Sequence, residues 1–271
     1  RAAQESRGLG DVYKRQRFYY HCDQLGMLVW QDMVNGGSAY KHWFVTYLAT
    51  LMNWNHISFS DDEKHAGLLS RLHPEGKDEF RREITETIAF LYNHPSIVVW
   101  VPFNEGWGQF DALAVCEQIR TLDSSRLVDH ASGWFDQKGG DILSLHYYFL
   151  KLKFKPESKR AAALTEFGGY SLSIPGHSCC KKVYGYKKFN STGTLTYGYI
   201  DLIRQTILPA VKKGIGATVY TQLSDIEEET NGIYTYDREI CKIDPDTLRK
   251  WNRALKEAGE CKTYADHTTD H

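Results

Sequence analysis

The sequence has no apolar run approaching the ~20 residues that a membrane-crossing helix requires. It also lacks an excess of either charge, since 33 Lys and Arg against 34 Asp and Glu leave a formal net charge of -1. Nucleic acids and membrane surfaces both reward a surplus of positive charge, so neither is expected as a partner. The cysteines Cys22, Cys116, Cys179, Cys180, Cys241 and Cys261 have no ligand-like spacing, which argues against a zinc site or a disulfide framework. No Gly-x-Gly-x-x-Gly follows the first apolar strand, so the dinucleotide-binding fingerprint is absent. No cofactor and no metal are expected. Residues 1–17 contain no Met, no signal-peptide pattern and no apolar period, and are expected to be a non-native or disordered leader. The chain is expected to be soluble, either cytoplasmic or exported to the periplasm by a signal outside this sequence.

What the chain does hold is aromatic surface and strand-end carboxylates. Its 17 Tyr, 12 Phe and 7 Trp suit stacking on sugars or bases, although most rings are expected in the core. Ile97-Val98-Val99-Trp100-Val101 runs without alternation into Pro102-Phe103-Asn104-Glu105, the pattern of a strand buried on both faces with polar groups at its C-terminal end. Alone, Asn-Glu reads as well as an ordinary loop pair. A second stretch of the same design, Ala161-Ala162-Ala163-Leu164-Thr165-Glu166-Phe167-Gly168-Gly169, strengthens the functional reading.

Taken in order, Phe18, Cys22 and Leu25 share a helical face stopped by Gly26, and residues 27–32 read as a strand ending on Asp32. The excursion from Asn35 to Gly76, rich in Tyr and Trp, reads equally as an active-site wall or as a flap held by its own rings. Helices are expected over 78–92, 112–122 and 197–213, the last bent near Pro209, and from Pro245 to a stop at Gly259. Strands near 127–130 and 141–146 end on His130 and His146, with Trp134 in the loop after the first. Ser224 to Asn231 reads as an acidic loop, and residues 260–271 as a polar, frayed tail.

Six strands alternating with helices, each with candidate site groups at its end, fit an α/β fold of the TIM-barrel type, (β/α)8, better than a doubly wound sheet. One domain over 18–259 is expected, lacking its first two strands. Glu105 and Glu166 then end strands four and seven, on opposite sides of the barrel mouth. Two such carboxylates about 5–5.5 Å apart perform retaining glycoside hydrolysis, and a wider separation performs inversion.

Four stretches carry a resemblance: His21-Cys22-Asp23 through Val29-Trp30, Asn93-His94-Pro95-Ser96, Trp100 through Asn104-Glu105, and Thr165-Glu166-Phe167-Gly168. The chain resembles, over roughly Phe18 to Gly259, the catalytic barrel of glycoside hydrolase family 2, which contains β-galactosidases, β-glucuronidases and β-mannosidases. The resemblance implies a retaining β-glycoside hydrolase, most nearly β-galactosidase-like, with Glu105 as acid/base and Glu166 as nucleophile. It implies that Tyr147 holds the nucleophile through its hydroxyl and that Asn104 meets the sugar 2-hydroxyl. The apolar Trp100, Val101, Phe103 and Trp107 are expected to raise the pKa of Glu105 by desolvation. Asp32, His130, Trp134 and His146 are further substrate-binding candidates, each equally readable as a satisfied structural group. The implied partners are a carbohydrate substrate and, in the intact protein, two β-sandwich domains and the first barrel strands; a homo-oligomer is compatible with this.

Two departures bear on the substrate. Val219-Tyr220-Thr221-Gln222 stands where the family has a Trp near the end of strand eight, so the sugar subsite is expected to differ, with Tyr220 a substrate-binding candidate. Asn231-Gly232-Ile233 lacks the Lys of glucuronidase-like members, which disfavours a uronic acid. The competing readings are a non-catalytic carbohydrate-binding protein, an inactive fragment, a hydrolase for mannosides, glucuronides or arabinosides, and a structural module. A barrel short of two strands exposes sheet edges, so aggregation, or a loss of rate of at least about a hundredfold against an intact parent, is expected.

Overall fold

The computed structural model describes residues 16–266 except Ala39, His42, Asn55, His56, 149–151, Lys181 and Lys182. The expected leader lies outside the described residues up to position 15, and Gln16 and Arg17 already belong to the first helix. The chain divides into two compact units, one ending at Leu145 and the other beginning at His146.

In the first unit, helix α1 (Gln16–Leu25) precedes strand β1 (Val29–Asp32). Its buried residues are Tyr19 and Cys22; Leu25, expected on that face, is exposed, as are Met27 and Leu28. The excursion contains a π-helical turn (Phe44–Leu48) and α2 (Ala49–Trp54). Helix α3 (Pro74–Leu91) starts four residues before the expected Asp78. Pro74 begins it at no cost, because a first-turn N–H has no partner inside a helix. Strand β2 (Ile97–Val101), helix α4 (Ala112–Leu122) and strand β3 (Leu127–Val128) follow.

The three strands pair in parallel in the order β1-β2-β3, with Asp32 opposite Val101 and Trp100 opposite Val128. Parallel neighbours need long crossovers, and α3 and α4 supply them. Ile84, Ile88 and Leu91 of α3 and Val115, Cys116 and Ile119 of α4 join Trp100 and Phe103 in one buried cluster. Within it Phe103 stacks on Phe80 at 5.0 Å and meets Phe110 edge-on at 5.5 Å.

Strand β4 (Ile142–Tyr147) spans the division between the units. In the second unit, β5 (Ala161–Gly168) leads to a two-residue parallel pair, β6 (Tyr170–Ser171) and β7 (Lys187–Lys188). Helix α5 (Thr192–Leu202), a π-helical turn (Ile203–Ile207) and α6 (Leu208–Lys212) then cross over to β8 (Ile215–Thr221), which pairs in parallel with β5. The widened turn immediately precedes Pro209, where a missing N–H and a ring crowding the preceding carbonyls disfavour continuous α-helix. Six strands of the expected series are thus present among the described residues, each within a few residues of its expected position.

Helix α7 (Pro245–Asp266) is capped by Asp244, whose Oδ2 accepts the Thr247 N–H at 2.7 Å. It runs through Gly259 rather than stopping there, at a cost of about 1 kcal/mol for glycine in a helix. The part of the expected tail from 260 to 266 is therefore helical, and the rest lies outside the described residues. The acidic loop is anchored in the interior at one of its carboxylates. Asp225 is buried and meets Lys242, whose ammonium is fully buried and donates to Asp225 Oδ1 (2.7 Å), Thr230 O (2.8 Å) and Leu172 O (2.9 Å). All three ammonium hydrogens are used, as burial of a charge demands.

Two carboxylates tie the first unit together at the N-terminal side of its sheet. Asp23 on α1 accepts the Ser96 N–H at 2.9 Å and pairs with His94 Nδ1 at 2.7 Å, so two of the quoted motif stretches meet. Asp123, 1% exposed, closes α4 and receives Trp100 Nε1 (2.9 Å), Arg126 Nη1 (2.6 Å), and the Ser125 backbone N–H and hydroxyl (2.9 and 2.6 Å). Burial pushes the Asp123 pKa up, but the bonds from Ser125, Arg126 and Trp100 outweigh it and hold the group down at about 2. An unfolded Asp titrates near ~3.9, so this contribution is complete above that value and is lost as pH falls through about 2. At ~1.4 kcal/mol per unit the contribution is about 3 kcal/mol. Urea midpoints measured from about pH 5 down to about pH 2 should fall more steeply in the parent than in Asp123→Asn, and parallel curves would contradict this assignment.

Candidate active site

Beyond β2 the chain turns sharply on Asn104-Glu105-Gly106. Asn104 is buried and bridges in parallel to Ser132, whose carbonyl accepts the Glu105 N–H at 2.9 Å. Glu105 is half-buried with φ +50°, a left-handed conformation that costs a non-glycine residue about 1–2 kcal/mol. Gly106 follows at φ +70°, and a Cβ there would lie 2.4 Å from the Phe135 ring. Neighbours on both sides therefore hold the turn that presents Glu105.

The expected source of Glu105 desolvation is only partly in place. Trp100 and Phe103 pack toward α3 and α4, and the Trp100 indole is committed to Asp123. Trp107 instead joins the excursion, meeting Tyr40 edge-on at 4.4 Å. The excursion packs Phe44, Ala49 and Leu69 in one cluster with Phe135 of the loop after β3, and Phe59, Trp107 and Trp134 pack against it. It is therefore held by rings from the loops after β2 and β3 as well as its own, and through Trp107 it walls the turn carrying Glu105.

Trp134 thus stands in the wall, half-buried and edge-on to Phe135 at 6.4 Å. His130 is buried; its Nε2 accepts the Gln137 N–H at 3.0 Å and lies 3.1 Å from Asp136 Oδ1, which fastens the following loop. Asp32 is half-buried at the end of β1, opposite Val101 and three positions before Asn104.

In the second unit the groups converge on Glu166. The Tyr148 hydroxyl donates to Glu166 Oε2, and His146 Nδ1 lies 3.5 Å from the same oxygen. Tyr147, expected to hold this carboxylate, does not; the holder is Tyr148. Side chains alternate along a strand, so His146 and Tyr148 share one side while Tyr147 points to the other. The presence of His146 was the signal that would have fixed the phase. The Tyr148 hydroxyl also pairs with Thr221 Oγ1 at 3.1 Å, and its ring stacks on Tyr186 at 4.0 Å.

Gly168 and Gly169, at φ +96° and +62°, make room for rings of the protein itself. A Cβ on Gly168 would sit 2.4 Å from Tyr220, and one on Gly169 2.4 Å from Tyr186. Tyr220 is not placed as a sugar contact: it packs edge-on against Phe167 (5.4 Å) and Tyr199 of α5 (5.6 Å). Burial drives its phenol pKa far up. The next residue on β8, Thr221, points the other way and reaches Tyr148, again by alternation. Gln222 is buried and donates to Glu229 Oε2 (2.9 Å) and Asn231 Oδ1 (2.7 Å).

Three relatives frame these groups. Beta-mannosidase B of Thermothelomyces thermophilus is 33% identical over 98 residues, which are 36% of this chain and 8% of that protein. Among solved structures, a β-D-glucuronidase of Dictyoglomus thermophilum superposes with a TM-score of 0.56 at 14% identity, covering 90% of this chain and 44% of that one. A β-galacturonidase of Eisenbergiella tayi gives 0.51 at 18% identity, covering 87% and 43%. This chain spans less than half the length of each, and the two structures establish likeness of fold. The family described as glycosyl hydrolases family 2, TIM barrel domain, matches residues 13–207, well over half of the sequence, and to that family the chain belongs.

Proposed function

We propose that this chain carries a retaining β-glycoside hydrolase site in which Glu166 is the nucleophile and Glu105 the general acid/base. The observation that carries the reading is the setting of Glu166 at the end of β5, with the Tyr148 hydroxyl and the His146 imidazole both directed at Oε2. A nucleophilic carboxylate must keep one oxygen aimed at the anomeric carbon, and two groups on the other fix that aim. Glu105 protonates the glycosidic oxygen as it leaves and then deprotonates the water that hydrolyses the glycosyl-enzyme. Asn104 donates to the sugar 2-hydroxyl, a bond that strengthens as oxocarbenium character develops.

β-Galactosides head the proposed substrates. The sequence relative named β-mannosidase supports a second reading, a β-mannoside. A uronic acid ranks below both, because Asn231 is occupied by Gln222, Gly232-Ile233 offers no cation, and Lys242 is consumed in the core. Initial rates on aryl β-galactoside, β-mannoside and β-glucuronide rank the three. Turnover of the glucuronide alone would overturn this order.

Trapping with a 2-deoxy-2-fluoro glycoside needs a single turnover, so even a slow protein reports. Mass spectrometry of the digested adduct should place the sugar on the peptide containing Glu166, and a label on any other carboxylate would refute the assignment. The roles of the adjacent tyrosines separate in the same way. Tyr148→Phe removes a hydrogen bond to a charged group, about 1.5–3 kcal/mol, and should slow trapping about ten- to a hundredfold. Tyr147→Phe should remain close to the parent, and a reversed ranking would return the holding role to Tyr147.

A further inference from the structure

We infer that His177, Asp237 and Glu239 form a binding site for a divalent transition-metal ion of the zinc class, separate from the strand-end carboxylates. His177 stands on the turn from Ile174, and Asp237 and Glu239 stand sixty residues later in a segment where Tyr234 bridges antiparallel to Cys241. Their donor atoms, one imidazole nitrogen and one oxygen from each carboxylate, all lie within 4.8 Å of one another. His177 Nδ1 is 2.7 Å from Asp237 Oδ2 and 3.8 Å from Glu239 Oε2.

Four donors at ~2.0–2.1 Å around zinc stand about 3.3 Å from each other, a value between those two separations. Small rotations of exposed side chains therefore bring the three atoms into coordination. One imidazole and two carboxylates form the donor set of an open zinc site, with water completing the tetrahedron. Calcium would need six or more oxygens, and copper(I) would need sulfur.

Groups behind the donors fix their direction. Asp237 Oδ1 is occupied by the Thr235 hydroxyl (2.6 Å) and the Glu239 N–H (3.1 Å), which leaves Oδ2 facing His177. Such outer bonds orient a carboxylate ligand and commonly matter about 10–100-fold in affinity. The Thr235 bond, with help from Glu239 and His177, also holds the Asp237 pKa down at about 2, so the ligand is anionic at any pH where histidine can bind a metal. The two segments are fixed to each other close by, where Lys242 donates to Leu172 O and Thr230 O. Binding replaces the hydrogen that now lies between His177 and Asp237, so one proton is released or moved to Nε2.

Zinc titrated into the full chain, followed by calorimetry and by competition with a chromophoric chelator, should show a site that raises the melting temperature of the protein. His177→Ala should weaken that site at least about tenfold, and Glu239→Gln, which leaves the His177–Asp237 pair intact, about tenfold. Cobalt(II) in the same site should give the intense visible bands of a four-coordinate ion. Zinc binding unchanged in both variants, or a cobalt spectrum of six-coordinate character, would overturn the inference, as would no binding by the parent. Because none of these readings uses turnover, failure of the glycosidase proposal would leave them standing.

Discussion

Asp123 has lost almost all contact with water, and a carboxylate in that position is tolerable only if protein hydrogens replace the solvent. It draws them from β2 through the Trp100 indole, from its own turn through Ser125, and from Arg126. Arg126 in turn reaches the carbonyls of Tyr92, His94 and Ile97, so the entry into β2 is laced to the exit of α4. Asp23 repeats the device from α1 by holding His94 and Ser96. Strand β2 is thereby fixed at the end remote from Asn104 and Glu105, and a short rigid strand transmits that placement to its other end. The left-handed Glu105 depends on this rigidity, since a strained backbone persists only where its surroundings over-determine it.

The second unit solves the same problem with a different charge. Lys242 and Asp225 bury an ion pair, yet the lysine also satisfies two carbonyls on segments far apart in sequence. Removing one member of such a pair commonly costs 3–5 kcal/mol, because the other is left charged and dry. Leu172 lies directly after β6 and Thr230 in the segment that returns toward Gln222, so the pair organises the loops beyond β5 and β8. Glu166 and Thr221 stand on the strands that lead into those loops, and Tyr148, directly after β4, meets both of them.

Strand ends and helix spans were readable because their signals are local: α4 matches its expected 112–122, and Asp244-Pro245 marks the start of α7. Glu166 lies within the last residues of β5, whereas β2 closes at Val101 and Glu105 follows on the turn beyond it. Phase was harder. Adjacent tyrosines differ in direction only through the phase that His146 sets, and a one-residue error exchanged Tyr147 for Tyr148. The Tyr220 error has the same origin, since its neighbour Thr221 is the residue directed at Tyr148. Lys242 and Asp225 could not be seen as a pair, because two charged residues separated by a loop look solvated until the fold brings them together. Gly259 illustrates the converse: a weak local preference for ending a helix did not end this one.

The π-helical turn before Pro209 bears on how this chain should be compared with others. The Leu208 N–H reaches back five residues to the Ile203 carbonyl, so the turn contains one residue more than an α-helical turn. A related chain whose crossover is continuous α-helix would lack that extra residue. An alignment placing a one-residue gap between Leu202 and Leu208 would then keep Ala210 and Val211, both buried, on the same face. A gap moved a few positions either way would set exposed residues against buried ones along the remaining crossover into β8.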